Sequence, residues 1–82
     1  MQLDGRKMTF APVRIRAGTG MVTNVRDVKA ASDTMLAWPG RGRAWRRTAE
    51  VLSEALYGRE TPEAARRAFV AAAKEAGVLI EG

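Results

Sequence analysis

The fold of this chain is decided by the stretch Trp38-Pro39-Gly40-Arg41-Gly42-Arg43-Ala44-Trp45-Arg46-Arg47. This stretch contains both tryptophans and four of the fourteen basic residues of the chain. Pro39 disfavours helical geometry in the residue before it, so a helix that precedes the stretch must end there. The two glycines let the chain turn before another helix begins near Arg43. The stretch is therefore predicted to be the turn between two helices.

Apolar residues recur at helical spacing on both sides of this turn. The first helix is predicted to begin after Asn24 as its N-cap, with Asp27 in the first turn. The second helix is predicted from about Arg43 to Tyr57, with Gly58 closing it. The predicted core-facing residues are Val25, Val28, Ala31, Met35 and Leu36 in the first helix, and Trp45, Thr48, Ala49, Leu52, Ala55 and Leu56 in the second.

The third helix has the clearest start signal, because Thr61-Pro62-Glu63 combines a cap, a proline at N1 and an acid near the dipole. It is predicted to run to about Ala76 and to end at the glycine that follows. Its inner face is rich in alanine, which predicts a close helix–helix approach with Phe69 as the anchor. Arg67 follows Glu63 at the spacing of a helical ion pair, and Arg66 is predicted to be solvated.

A β-hairpin is predicted before the first helix. Val13, Ile15 and Ala17 alternate with Arg14 and Arg16, which is typical of a half-buried strand with a basic outer face. The sequence from residue 17 to residue 20 is predicted to be a glycine-containing turn, and residues 21–23 a short return strand. For residues 78–80 two interpretations stay open, a contact folded back on the third helix or a third strand beside the hairpin. A lone hairpin is marginal in water, which favours the strand.

The predicted fold class is therefore α+β, with an N-terminal β-hairpin followed by three α-helices and a short C-terminal strand as the favoured ending. Residues 1–8 are expected to form a flexible tail. Residues 9–82 are expected to form a single domain, because a chain of 82 residues supports one core of modest size.

The composition argues against catalysis. The chain has no histidine and no cysteine, which removes imidazole and thiolate metal ligands and the usual nucleophile–base pairs. Glu50 and Glu54 are the acidic pair at helical spacing, and Arg46 and Arg47 one turn earlier favour a solvated, charge-balanced face. We therefore expect no enzyme activity, no cofactor and no metal. Residues 1–9 lack the apolar run of a signal peptide, and no stretch approaches the roughly 18 apolar residues of a membrane span, so a cytoplasmic location is expected.

Several blocks of sequence carry a resemblance to a known family. They are Trp38-Pro39, Ala55-Leu56 with Gly58, Ala65-Arg66-x-Ala68-Phe69, and Ala72-Ala73-x-Glu75-Ala76-Gly77. In order and spacing the chain resembles the domain of unknown function 982 family, small uncharacterised proteins known mostly from alphaproteobacteria. The resemblance implies a compact α+β fold and implies no activity.

Charge and size indicate two possible roles. The net charge is +5, and eleven of the fourteen cations are arginine, which favours anionic partners such as nucleic acid or an acidic protein. The candidate partner surface consists of Arg41, Arg43, Arg46, Arg47, Arg14 and Arg16. Three of them fall in the first turns of the second helix, where the dipole disfavours cations, and a bound anion at that helix end is one resolution. The alternative is that they cap the carbonyl end of the first helix or stay solvated.

A self-associating interaction protein is the function that the sequence favours, because the predicted core is small and neither disulfides nor metals are expected to support it. The alternative is a weak, non-specific nucleic-acid binder that uses the cluster from Arg41 to Arg47. Both tryptophans are expected in the core rather than stacked on bases.

Overall fold

The computed structural model describes residues 8–82, and it confirms the predicted α+β architecture. The three strands form one antiparallel sheet in the order β2-β1-β3. In chain order, the elements are β1 (Thr9–Arg16), β2 (Val22–Asp27), α1 (Val28–Leu36), α2 (Arg43–Leu56), α3 (Pro62–Ala76) and β3 (Leu79–Glu81). Of the predicted tail at residues 1–8, all but Met8 lies outside the described residues. Met8 packs against the core, and its carbonyl oxygen accepts a hydrogen bond from the Val28 amide at 3.0 Å.

The hairpin forms as its alternating pattern predicts. Val13 lies opposite Val25 in the ladder between β1 and β2, and both side chains are buried. Ile15 is buried on the same side, whereas Arg14 and Arg16 are exposed. Because successive side chains of a strand point to opposite faces, the two arginines lie on the sheet face that the helices leave uncovered.

The start of α1 differs from the prediction. Strand β2 continues to Asp27, and Asp27 is the N-cap, with its carboxylate accepting from the Ala30 amide at 2.7 Å. The predicted cap, Asn24, is a strand residue that pairs with Arg14. Burial of Val25 against the core holds this segment extended. Pairing between distant parts of the chain has therefore outweighed a local capping preference.

Both interpretations of the C-terminal segment are correct in part. Gly77 ends α3 at φ 75°, a left-handed conformation that glycine adopts without steric cost. The Val78 amide then donates back to the Ala73 carbonyl at 3.0 Å, which closes the helix. From Leu79 to Glu81 the chain is a strand that pairs with β1. The third strand therefore exists and joins the hairpin on the β1 side.

Arg66 is not solvated as predicted. Its Nε donates to the Ala11 carbonyl at 2.8 Å, and its Nη2 donates to the Pro12 carbonyl at 3.2 Å. These two β1 carbonyls lie beyond the three-residue strand β3, which pairs with Arg14 and Ile15. The guanidinium of Arg66 therefore acts in place of a longer β3 and ties α3 to the sheet.

The core lies between the sheet and the helices. Helix α3 packs on β1, and α2 packs on α3 and α1. Phe69 is the largest fully buried side chain, as the sequence predicted for the anchor of α3. The hydroxyl of the buried Thr48 donates to the Ala68 carbonyl at 2.7 Å, which joins α2 to the alanine-rich side of α3.

Candidate functional site

The turn between α1 and α2 carries the arginine cluster that the sequence singled out. Arg41, Arg43, Arg46 and Arg47 are all exposed. The Arg41 guanidinium lies 4.4 Å from the ring centroid of Trp45, in cation–π geometry. Within residues 8–82, ion pairs within 4 Å join Lys29 to Asp33 and Arg59 to Glu54 only, so these four arginines have no such partner.

An anion does occupy the start of α2, and it belongs to the chain itself. The Glu75 carboxylate accepts from the Ala44 amide at 2.9 Å and from the Trp45 amide at 3.2 Å. These amides are two of the donors that a helix N-terminus leaves without an intrahelical acceptor. The N-cap residue, Gly42, has no side chain to bond them. Glu75 of α3 therefore acts as the cap of α2 and supplies negative charge beside the arginine cluster.

Glycine at position 42 is required by this arrangement. A Cβ on Gly42 would stand 2.6 Å from Oε2 of Glu75 and 2.9 Å from Oε1. A residue with a side chain would thus displace the carboxylate from the two amides. Glycine is needed here because the Glu75 carboxylate lies so close to the backbone. The backbone angle itself is ordinary, since φ is −76°.

The two tryptophans hold the same turn. The Trp45 Nε1 donates to the Met35 carbonyl at 2.9 Å, near the carbonyl end of α1. The Trp38 ring stacks on Phe69, with centroids 5.8 Å apart and planes inclined by 24°. Both rings are half-buried and pack against the core, as expected. The α1 terminus is thus bonded by an indole and not by the arginines.

The six candidate arginines form two groups. Arg14 and Arg16 lie on the open face of the sheet, as described above. The other four belong to α2 and the turn before it, and α2 packs on α1 and α3. The helices therefore separate the two groups, and the six residues do not converge on one face.

A second surface was missed by the sequence interpretation. Leu36 is 59% exposed, Leu56 is 52% exposed and Tyr57 is 72% exposed, although the two leucines were predicted to face the core. A groove of about 440 Å³ runs among them between α1 and α2. We call this surface the α1–α2 face, and its residues are Ser32, Met35, Leu36, Trp45, Ala49, Leu52, Ser53, Leu56 and Tyr57. None of the nine carries a charge.

The apolar spacing of the two helices was the available signal for this face. Leu36 follows Met35 directly, and Leu56 follows Ala55 directly, so the two residues of each pair point in different directions around a helix. Met35 and Ala55 are the buried members. The predicted core faces were therefore too wide, and the surplus leucines lie at the surface.

The described part of the chain has neither a cluster of metal ligands nor a membrane-spanning helix. Among residues 8–82, no three or more acidic side chains are grouped so that they could hold a metal ion. None of the three helices is both long and apolar enough to cross a membrane.

Comparison with known families confirms the family resemblance that the sequence blocks suggested. The model of a family described as a protein of unknown function (DUF982) matches residues 11–80. The chain belongs to the DUF982 family. The same comparisons found no matching curated protein and no matching solved structure.

Two of the four sequence blocks that suggested DUF982 meet in space at the start of α2. Trp38 and Pro39 line a small pocket of about 280 Å³ together with Ala72, Glu75 and Ala76. Gly42 and Trp45 complete much of its wall. In this DUF982 chain, Trp38, Pro39 and Glu75 thus belong to the turn and cap at the start of α2.

Proposed function

We propose that this DUF982 protein is a small, non-catalytic interaction protein that self-associates through the α1–α2 face. The observation that carries the proposal is the exposure of Leu36, Leu56 and Tyr57 around one uncharged groove. Contiguous apolar surface on a small protein is typical of a contact site, whereas single scattered apolar residues are not. A cytoplasmic location is part of the proposal and fits a chain without cysteine.

A second copy of the chain is the partner that the charges favour. The chain carries a net charge of +5, so two copies repel each other unless their contact avoids the cations. The α1–α2 face has no charged residue, and two cations on its helices or beside them are already paired. Lys29 bonds Asp33 at 3.1 Å, and Arg59 bonds Glu54 at 2.9 Å while lying over the Tyr57 ring. A twofold contact would thus centre on neutral surface and internally neutralised pairs, with the exposed Arg46, one turn before Ala49 on α2, left at its edge.

The expected association is weak. Stable dimers bury roughly 800 Å² per partner, and a fully buried leucine or aromatic side chain contributes about 1.5–3 kcal/mol. Three side chains that are already partly covered gain less, and association costs at least about 4 kcal/mol in lost freedom of motion. We therefore expect a dissociation constant of roughly 10 μM to 1 mM.

Sedimentation velocity across a concentration series tests self-association. The native chain is expected to shift from monomer toward dimer as its concentration rises, and Leu36→Glu and Leu56→Glu are expected to remain monomeric. Val22→Glu is the matched control, because Val22 is 56% exposed on β2 and the substitution changes the net charge equally. A native chain that stays monomeric at 1 mM would exclude the proposal, and so would an equal loss of association in the Val22 variant.

Weak nucleic-acid binding is the second candidate function. It rests on the exposure of Arg41, Arg43, Arg46 and Arg47 and on their lack of ion-pair partners within the described residues. Two observations weigh against specific recognition: the Trp45 ring already carries Arg41, and Glu75 already occupies the helix N-terminus. A sequence-independent contact with phosphates is what remains.

Fluorescence anisotropy with labelled single-stranded and duplex oligonucleotides tests this candidate at low and moderate salt. Each phosphate contact that is removed should lower the salt slope by about one, so the double variant Arg43→Glu with Arg46→Glu should flatten it. Arg26→Glu on the sheet is the control, because each arginine-to-glutamate substitution changes the net charge by the same amount. Absence of binding at roughly 50 mM salt would exclude the candidate, because phosphate contacts are strongest there.

A further inference from the structure

A groove between α2 and α3 differs in character from the α1–α2 face. Its volume is about 390 Å³. The lining residues are Ala44, Arg47, Thr48 and Val51 of α2, Ala64, Arg67, Ala68 and Ala71 of α3, and Glu60 of the loop between them. Each helix thus contributes one stripe with the spacing i, i+3, i+4, i+7, which is a single face of a helix. The two stripes line one groove between packed helices, which we call the trough.

The floor of this trough is low and apolar. Ala44, Ala64 and Ala68 are half-buried, and Ala71 is exposed. Helices pack at interaxial distances of 8–10 Å, and small residues at the contact permit the closest approach. Four of the nine lining residues are alanines, and none is aromatic. Its shape therefore suits a third helix, which would lay an apolar stripe on the alanines.

Two arginines flank the floor, one from each helix. Neither Arg47 nor Arg67 makes an ion pair within 4 Å in the described chain, although Glu63 precedes Arg67 by one turn. The predicted pair between Glu63 and Arg67 is thus not formed at that distance. Glu60 is the one acidic residue of the lining. The trough therefore offers two cations to the flanks of whatever rests on its floor.

We propose that the α2–α3 groove binds an acidic amphipathic helix of a different protein. The occupant would place small or medium apolar residues on the alanine floor and carboxylates beside Arg47 and Arg67. This second binding surface goes beyond the self-association proposed above. It uses a different side of α2, since no residue of the α1–α2 face lines the α2–α3 groove.

A second copy of this chain is a poor occupant because its helices are not acidic. Helix α1 has one lysine and one aspartate, giving 0. Helix α2 has three arginines and two glutamates, giving +1, and α3 has two arginines, one lysine and two glutamates, also giving +1. Nucleic acid is also a poor occupant. The alanine side chains of the floor cannot donate hydrogen bonds to phosphates, and no lining residue is aromatic and able to stack on a base.

The test uses a synthetic helical peptide of about 21 residues with leucine and alanine at i, i+3, i+4 and i+7 and glutamate on both flanks. Titration into the ¹⁵N-labelled full chain should shift the amides of Ala44, Val51, Ala64 and Ala71. Arg47→Glu combined with Arg67→Glu should weaken binding about tenfold or more. Arg16→Glu combined with Arg26→Glu, which reverses two exposed arginines of the sheet outside the groove, should change binding by less than about threefold.

A variant with unchanged net charge tests whether the peptide contacts the groove itself and is not merely attracted by the positive charge of the chain. Ala71→Trp should fill the exposed part of the floor and abolish binding, while circular dichroism verifies that the fold is retained. The proposal is overturned if no binding occurs up to 1 mM, or if a peptide of the same composition in scrambled order binds equally well. Displacement of the peptide by a duplex oligonucleotide whose own binding needs Arg47 and Arg67 would assign the groove to nucleic acid and also overturn it.

Discussion

Removal of the Glu75 carboxylate should destabilise the fold by detaching the start of α2 from α3. Glu75→Ala deletes the acceptor of the Ala44 and Trp45 amides, and Gly42 has no side chain that could replace it. Loss of an N-cap costs about 0.5–2 kcal/mol, and loss of a carboxylate beside a helix N-terminus costs about 0.3–1 kcal/mol. Because Glu75 is exposed, the lower parts of both ranges apply. We expect a loss of about 1.5 kcal/mol in the free energy of unfolding.

Thermal and urea denaturation provide the measurement. For a domain of this size, 1 kcal/mol corresponds to about 4–8 °C, so the melting temperature should fall by about 6–12 °C. Glu50→Ala is the matched control, since Glu50 is an exposed glutamate of α2 with no hydrogen bond in the described chain, and it should stay within about 0.5 kcal/mol. Phosphate in the buffer should stabilise the Glu75 variant more than the native chain, because it can occupy the vacated helix end. A Glu75 variant as stable as its control would show that the Glu75 carboxylate does not stabilise the start of α2.

The effect of Gly42→Ala should depend on whether Glu75 is present. In the native chain the new Cβ displaces the carboxylate, and the lost cap outweighs or cancels the stabilisation of about 0.4–1 kcal/mol that comes from a less flexible unfolded chain. In the Glu75→Ala background the carboxylate is gone, so Gly42→Ala should destabilise less than in the native chain, because only the weaker N-cap preference of alanine then opposes the gain from a less flexible unfolded chain. A double-mutant cycle measures this coupling, and additive effects at the two positions would show that the close approach has no energetic meaning.

Three further predictions concern contacts that fix the fold, and urea denaturation measures each. Trp45→Phe removes the hydrogen bond to the Met35 carbonyl and should cost about 1 kcal/mol; an unchanged midpoint would mean that water replaces the indole. Arg66→Met removes both guanidinium contacts to β1 and should cost about 1–2 kcal/mol, and Arg66→Lys should not restore it fully, because lysine lacks the planar fork. Gly77→Ala should cost about 1–2 kcal/mol through its positive φ alone, since nothing lies within 4 Å of the added Cβ, whereas Gly40→Ala, also in open space, should be neutral or stabilising.

Element boundaries that depend on local chemistry could be predicted from the sequence. Pro39 ended the first helix, Thr61 and Pro62 began the third, and Gly77 closed it, all at or next to the observed residues. Each of these signals depends only on residues within about one helical turn of the boundary, so it can be recognised in the sequence alone. The α+β class followed from these boundaries and from the alternation in β1.

The start of α1 could not be predicted in the same way. Asn24 and Asp27 are both good caps, and local preference does not separate them. The choice is made by pairing of Val25 with Val13, twelve positions away, which extends β2. A distant partner also explains the error on Arg66, whose acceptors lie at Ala11 and Pro12.

The candidate site was predictable in composition and not in arrangement. The sequence identified an unusual run of arginines at a helix start and offered an anion there as one of the open explanations. It did not identify Glu75, because the capping amides lie 30 and 31 positions away. Periodicity likewise indicated that Leu36 and Leu56 are apolar positions, but it did not indicate whether another element covers them. Their exposure is the basis of the proposed interaction surface.

Self-association of this chain through the α1–α2 face is tested most sharply by a dilution series followed by ¹⁵N–¹H NMR. Raising the concentration from about 20 μM to about 1 mM spans the expected dissociation constant. We expect concentration-dependent shifts of the amides of Ser32, Leu36, Ser53, Leu56 and Tyr57, and constant positions for amides of β1. Spectra that do not change with concentration, or shifts confined to the sheet, would contradict self-association through this face.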